Sequence, residues 1–148
     1  MSVAKPNAAE WQFPGPRGRT PAILVVEDEV LMRLVISDYL RECGFKVFEA
    51  RSASEAIEIL ESDGAPIIDL IFSDVRMPGE MDGFKVAQWV RRNRPGLPVI
   101  LTSGDGQKSE AAKDLCESEP FFAKPYDVGT VVAQIRVSID ARKPKSDR

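Results

Sequence analysis

Five side chains that could handle phosphate or a metal ion each follow a short apolar run of this 148-residue chain. They are Glu27, Asp28, Asp74, Ser103 and Lys124. Three carboxylates gathered in one place repel one another unless a positive charge lies among them. Their donors are all oxygens, which suits a hard cation such as Mg²⁺, or Mn²⁺. With a metal ion, a lysine and a hydroxyl beside it, a carboxylate can attack phosphorus and form an aspartyl phosphate.

The apolar runs alternate with helical patterns along the chain. A continuous apolar run predicts a central parallel strand over residues 22–26, and further short β-type segments predict strands over residues 46–50, 67–73, 99–101 and 121–123. Helices are predicted over residues 31–43, 52–60, 84–92, 109–117 and 127–135. In the first helix, Leu31, Leu34 and Val35 mark one face, and Met32, Ile36 and Leu40 lie beside it. Gly44, a capping box at residues 52–55 and Asp127 supply helix-end signals.

Five consecutive β–α units predict an α/β fold with a parallel sheet covered by helices on both faces. Because crossovers between parallel strands are right-handed, we expect a (βα)5 doubly wound five-stranded sheet, a flavodoxin-like three-layer sandwich. Ligands of such sheets bind beyond the carboxyl ends of the strands. The five chemically capable side chains are predicted to lie at that edge.

Length and composition predict one domain over residues 21–140. Residues 1–20 are predicted to form a flexible arm, with Trp11 and Phe13 either mobile or packed on the domain or on a partner, and residues 141–148 a tail. The net charge of −3 gives no indication of nucleic-acid binding. The two cysteines have no metal-type spacing, and no secretory signal or membrane-length apolar run occurs, so we expect a cytoplasmic protein.

Four segments, ILVVEDE, FSDVRMPG followed by MDG, PVILTSG and FFAKP, occur in that order over most of the chain. Together they resemble the receiver domain of two-component response regulators, of the stand-alone type. The resemblance implies that Mg²⁺ is bound by Glu27, Asp28, Asp74 and the main-chain carbonyl of Arg76. It also implies that Asp74 accepts phosphate from a sensor histidine kinase or a histidine phosphotransfer protein. The chain has no histidine of its own, so the donor must be another protein.

The same resemblance implies roles for residues around the phosphorylated aspartate. Ser103 and Lys124 would contact the phosphoryl oxygens, and the Lys124–Pro125 peptide bond would be cis. Phe121 would turn inward as the Ser103 hydroxyl shifts, although a fixed core aromatic is an alternative interpretation. The face formed by helix 109–117, strand 121–123 and the last helix would contact an unidentified downstream protein or a second copy of the chain.

The chain departs from the family pattern in three places. Glu27 stands where aspartate is more common, and its longer arm could shift one metal contact or act through water. Ser103 replaces the more usual threonine and lacks the methyl group that restricts χ1. The segment PGEMDG, residues 78–83, has one residue more than usual, which enlarges the loop after Asp74.

Other functions remain as alternatives to a phosphorylated switch that is not an enzyme in its own right. The domain could be a phosphate sink or a phosphorelay intermediate, or an interaction module that works without phosphate. A haloacid-dehalogenase-type phosphatase would need a second acid two residues after its nucleophile, where this chain has Arg76. The glycines of residues 104–106 lack the Gly-Lys-Ser/Thr of a P-loop.

Overall fold

The computed structural model describes residues 19–75, 83–103, 121–124 and 126–141. Its strands are β1 (Ala22–Val26), β2 (Lys46–Ala50), β3 (Leu70–Asp74), β4 (Val99–Ser103) and β5 (Phe121–Ala123). Its helices are α1 (Val30–Glu42), α2 (Ala53–Glu61), α3 (Gly83–Asn93) and α4 (Val128–Ala141). The strands form one parallel sheet in the order β2-β1-β3-β4-β5. The predicted doubly wound α/β fold is confirmed, and the helix predicted over residues 109–117 lies outside the described residues.

The three central strands are buried along their whole length. In β1, Ile23, Leu24 and Val25 are each 0% exposed. Successive side chains of a strand point to opposite faces of the sheet, so an unbroken apolar run needs cover on both sides. Strands embedded in this way hold their carboxyl ends in fixed positions.

Two apolar layers provide that cover. Helices α2 and α3 pack on the face that carries Leu24 and Val26. Helices α1 and α4 pack on the opposite face, which carries Ile23 and Val25. The sheet therefore lies between two helical layers, as the continuous apolar strands predict.

Helix α1 packs on the sheet through a different face from the one marked by its densest apolar spacing. Ile36 and Leu40 are buried, whereas Leu31 is 72% exposed and Val35 is 61% exposed. The helix carries two apolar stripes, and the sheet covers the one that Ile36 and Leu40 continue into Cys43. Among the described residues, no helix is both long and apolar enough to cross a lipid bilayer.

Three helix ends lie at the residues that the sequence predicts as caps. The Ser52 hydroxyl accepts the Glu55 N–H at 3.0 Å, and Gly44, with φ of 101°, follows the end of α1. The Asp127 carboxylate accepts the Thr130 N–H at 3.0 Å and so caps the start of α4. These contacts satisfy N–H groups that have no partner within their own helices.

An ion pair fixes the amino end of the sheet. The Arg19 guanidinium donates two hydrogen bonds of 2.7 Å to the Asp69 carboxylate. The same carboxylate accepts the Ala22 N–H at 2.8 Å. Asp69 thereby ties the start of β1 to the segment that leads into β3, at the edge opposite Glu27 and Asp28.

Gly83 begins α3 where the helix approaches the end of β3. Its N–H donates to the Val75 carbonyl at 2.9 Å. A Cβ atom at this position would overlap the Asp74 carbonyl oxygen and lie 2.8 Å from the Val75 Cα. Both neighbours are backbone atoms that cannot move aside without shifting the strand, so this close approach requires glycine.

We predict that Gly83→Ala lowers the free energy of unfolding by about 2–3 kcal/mol, because the added methyl group forces the backbone apart. Gly64→Ala is the matched control, since Gly64 has φ of +72° and no atom within 4 Å of an added Cβ. The control should lose about 1 kcal/mol from conformational strain alone. Urea denaturation measures both values, and equal losses would contradict the packing argument.

Candidate functional site

Three carboxylates meet at the carboxyl edge of the sheet, where β1 and β3 end side by side. Val26 pairs with Ser73, so the residues that follow them, Glu27 and Asp74, are neighbours. One carboxylate oxygen from each of Glu27, Asp28 and Asp74 lies within 4.8 Å of the other two. Glu27 and Asp74 are buried, whereas Asp28 is exposed. The structure therefore brings together the three acids that the sequence singles out.

Lys124 supplies a positive charge among these acids. It directly follows β5, and its main-chain N–H donates to the Ser103 carbonyl at 2.8 Å. Its Nζ lies 2.9 Å from Glu27 Oε1 and 3.4 Å from Asp74 Oδ2. The lysine side chain thus reaches from the edge strand past β4 to both buried carboxylates.

The surroundings of Asp74 disfavour its charged form. The pKa of Asp74 is raised to about 6, because burial and then the negative charge of Glu27 raise it more than Lys124 lowers it. Burial lowers the pKa of Lys124, but the hydrogen bond to Glu27 and the charge of Asp74 leave it raised. Asp74 Oδ1 is buried without a hydrogen-bond partner in the described part of the chain.

Glu27 uses both carboxylate oxygens in hydrogen bonds. Oε1 accepts from Lys124, and Oε2 accepts the Glu29 N–H at 3.1 Å. The extra methylene of glutamate, compared with aspartate, gives the carboxylate the reach for these two contacts. Glu27 therefore holds Lys124 in place and satisfies a backbone donor just before α1.

Ser103 lies at the same edge of the sheet as the acids. It is the last residue of β4, it is buried, and it pairs with Ala123 of β5. The preceding residue, Thr102, pairs with Asp74 on the other side of β4. The sheet register therefore places Ser103 between the strand that carries Asp74 and the strand that leads to Lys124.

Other predicted site residues fall outside the described part of the chain. Arg76 and Pro125 are among them, as is the enlarged segment that contains residues 78–82. The backbone of Phe121 is described and pairs with Leu101. The Phe121 side chain is not described, so its predicted switch role stays a prediction.

Two residues near the acids were missed by sequence reasoning. The Tyr126 ring packs edge-on against Phe72, with centroids 5.7 Å apart, and burial and then the charges of Glu27 and Asp74 raise the pKa of its phenol. Arg33 of α1 donates to the main-chain carbonyl of Glu27 at 3.0 Å. Two sequence features could have identified these residues. Tyr126 lies two residues after Lys124, and Arg33 is a cation early in the helix that follows the acids.

The site and the fold agree with a known family. The family profile for the response regulator receiver domain matches residues 23–136, which include all three acids, Ser103 and Lys124. The chain belongs to this family. Receiver domains act as signalling switches in two-component systems and generally not as enzymes, and they bind Mg²⁺ at an acidic pocket.

Curated relatives of this receiver domain include whole response regulators of very different length. The two-component response regulator ORR5 of Oryza sativa subsp. japonica is 33% identical over 118 residues, which is 78% of this chain and 86% of that protein. The C4-dicarboxylate transport transcriptional regulatory protein DctD of Rhizobium meliloti is 32% identical over 124 residues. That match spans 83% of this chain but 26% of DctD.

Solved structures support the same family. A response regulator receiver protein from Sinorhizobium medicae superposes with a TM-score of 0.75 at 27% identity, over 84% of this chain and 98% of that one. A CheY-like receiver domain from Methanospirillum hungatei has a TM-score of 0.72 at 20% identity, which speaks for the fold alone. The predicted family and fold are thus confirmed.

We predict that, without divalent cations, Asp74→Asn is more stable than the wild type at pH 7.5 by about 1–3 kcal/mol. The pKa of Asp74 rises from 3.8 to about 6 on folding. The wild-type protein therefore loses stability as pH rises through this range, whereas asparagine does not titrate. Urea denaturation with EDTA should show the difference shrinking as pH falls toward 4. An Asp74→Asn protein no more stable than wild type at pH 7.5 would contradict the assigned burial cost.

Proposed function

We propose that this receiver domain accepts a phosphoryl group on Asp74 from a phosphohistidine of a partner sensor kinase or histidine phosphotransfer protein, with the help of Mg²⁺. The observation that carries the proposal is that the Asp74 carboxylate is buried, contacts a lysine and has one oxygen without a hydrogen-bond partner among the described residues. The carboxylate is buried at the tip of β3 with Oδ2 3.4 Å from Lys124. Oδ1 has no hydrogen-bond partner among the described residues, so it is available to bond to phosphorus or to a metal ion.

Glu27, Asp28 and Asp74 would hold the Mg²⁺ ion together with the main-chain carbonyl of Arg76 that the family resemblance adds. All these donors are oxygens, as a hard divalent cation prefers, and an unpartnered buried oxygen fits a ligand position. When bound, the ion offsets the negative charge that gathers on a transferring phosphoryl group. Each oxygen of Glu27 accepts one hydrogen bond, from Glu29 or from Lys124, and would offer the ion its remaining lone pair or a bridging water.

Phosphoryl transfer would proceed by attack of an Asp74 oxygen on phosphorus. The new O–P bond makes an acyl phosphate, while the N–P bond of the donor phosphohistidine breaks and its electron pair returns to the imidazole nitrogen. With a pKa of about 6, Asp74 is mainly ionised at neutral pH and can act as the nucleophile. The Lys124 ammonium and the Ser103 hydroxyl would donate hydrogen bonds to the phosphoryl oxygens.

An exposed apolar stripe on α1 supports contact with a phosphodonor protein. The stripe consists of Val30, Leu31, Leu34 and Val35, which are between 43% and 72% exposed. It begins two residues after Asp28, which is the exposed acid of the cluster. A protein that brings phosphohistidine to Asp74 would cover this stripe, because the stripe begins close to the exposed acid of the cluster.

The output of the switch would pass through β4 and β5. Phosphorylation would draw the Ser103 hydroxyl toward the phosphoryl group and make room for the Phe121 side chain to turn inward. Phe121 is paired with Leu101, which lies on the same strand as Ser103. A shift of Ser103 could therefore reach Phe121 through the pairing of β4 with β5. A downstream protein, or a second copy of the chain, would then bind the face that includes β5 and α4.

We predict that acetyl phosphate labels the wild-type protein with one phosphoryl group, and only when Mg²⁺ is present. Asp74→Asn keeps the side-chain shape but removes the nucleophile, so labelling should disappear. Lys124→Ala should still be labelled, about ten- to a hundredfold more slowly, because the ammonium no longer offsets charge in the transition state. Intact-mass spectrometry measures the stoichiometry and rate.

The chemistry of the label provides the control for this experiment. An acyl phosphate is lost in alkali, whereas a phosphoserine ester is more stable there. Alkali-stable label, or equal labelling of wild type and Asp74→Asn, would refute the proposal. A wild-type protein that takes no label under any condition would instead favour an interaction module that works without phosphate.

We predict that Leu31→Asp slows phosphotransfer from a cognate phosphohistidine protein by about tenfold, because it places a charge in the apolar contact. Labelling by acetyl phosphate should stay unchanged, since the small donor does not need the α1 stripe. Ile67→Asp is the matched control: Ile67 is 62% exposed but precedes β3, at the opposite edge of the sheet. Equal slowing by both variants would exclude α1 as the specific contact.

A further inference from the structure

Arg33 links α1 to the backbone of the acid pair. Its main-chain N–H donates to the Glu29 carbonyl at 2.9 Å, which places Arg33 near the start of the helix. Helical side chains lean toward the N-terminus of their helix, so the guanidinium extends back over the preceding turn. There Nη1 donates to the Glu27 main-chain carbonyl at 3.0 Å, and Nε donates to Glu49 Oε1 at 3.1 Å.

The Glu27 backbone is consequently held on two sides. Its N–H donates to the Ala50 carbonyl at 3.0 Å, and its carbonyl accepts from Arg33. That carbonyl belongs to the peptide group that joins Glu27 to Asp28. Because a peptide group is planar, fixing its oxygen also fixes the nitrogen and Cα of Asp28. Arg33 therefore restrains the peptide plane from which the Asp28 residue continues, and with it the position of the Asp28 Cα.

An arginine at this position interacts unfavourably with its own helix. A positive charge near the N-terminus of a helix opposes the helix dipole. The guanidinium compensates by presenting donors in a rigid fork, which reaches a carboxylate and a carbonyl at the same time. The Arg33 side chain is 17% exposed and that of Glu49 is 25% exposed, so solvent screens this contact incompletely.

Arg41 offers an internal comparison. It lies on the same helix, and its Nη2 donates to the other oxygen of Glu49 at 3.0 Å. The same nitrogen donates to the Val47 carbonyl at 3.2 Å, within β2 rather than at the acid pair. Both arginines therefore share Glu49, but Arg33 is the one that contacts the Glu27 backbone.

We propose that Arg33, itself held by Glu49, is a positioning residue that orients the Glu27–Asp28 peptide so that the acid cluster can hold its divalent cation. This inference rests on the proposed Mg²⁺-dependent function. Arg33 acts through Glu27 and Asp28 and contacts neither the phosphoryl group nor the metal ion. Its loss should therefore weaken Mg²⁺ binding more than it slows phosphoryl transfer at saturating Mg²⁺.

The test compares Arg33→Gln, Arg33→Lys and Arg41→Gln in the full chain. Amide resonances followed during Mg²⁺ titration give the dissociation constant, and acetyl phosphate labelling gives the maximal rate and the Mg²⁺ concentration for half that rate. Arg33→Gln should raise both Mg²⁺ values about tenfold and change the maximal rate less than twofold. Arg33→Lys should recover part of the affinity, because lysine can reach one of the two acceptors, and Arg41→Gln should stay within twofold of wild type.

Further readouts separate the possible failures. Hydrogen exchange of the Glu29 amide, measured without metal, should be faster in Arg33→Gln, because this amide donates to the Glu27 carboxylate. If Arg33→Gln does not fold, Glu49→Gln replaces it in the test. Its Mg²⁺ dissociation constant should also rise, but by less than the tenfold expected for Arg33→Gln. Unchanged Mg²⁺ affinity in the folded Arg33 or Glu49 variants, or an equal loss in Arg41→Gln, overturns this inference alone. A wild-type protein that is labelled equally without Mg²⁺ overturns the proposed function.

Discussion

Repulsion among three carboxylates is the constraint on which the site depends. Glu27, Asp28 and Asp74 bring oxygens within 4.8 Å of one another, and Lys124 alone among the described cations forms ion pairs with two of them. Such an arrangement persists because the strands that carry the acids are buried on both faces and cannot move apart without exposing apolar surface. Burial and, after it, the charge of Glu27 raise the pKa of Asp74, which shows that Lys124 does not fully offset the cost of holding this carboxylate charged.

The two apolar stripes of α1 differ in burial, and the proposed function gives them different roles. Ile36 and Leu40 belong to the core that covers the sheet, whereas Leu31 and Leu34 face solvent beside the acids. Burying the second stripe would gain little for the isolated domain, since the sheet is already covered. Leaving it exposed keeps an apolar surface next to a charged pocket, which is a common composition for a protein contact site.

Much of this architecture could be predicted from the sequence, because unbroken apolar runs identify parallel strands and acids at their ends share one edge. The buried face of α1 could not be predicted, since either stripe satisfies helical periodicity and the choice depends on how the helix sits on the sheet. The Arg33 and Glu27 contacts depend on side-chain reach across distant segments. The sequence shows that Glu27 has a longer arm than aspartate, but not that the arm holds Lys124.

The hydrogen bond from the Gly83 N–H to the Val75 carbonyl joins the two points at which the chain leaves β3 and enters α3. The described residues on either side of the segment 76–82 are therefore held together by a backbone contact that does not depend on the number of residues between them. The entropy cost of one extra residue in such a loop is small, because closure entropy grows only with the logarithm of loop length. A change of one residue in the length of this segment is therefore expected to leave both the sheet register and the start of α3 in place.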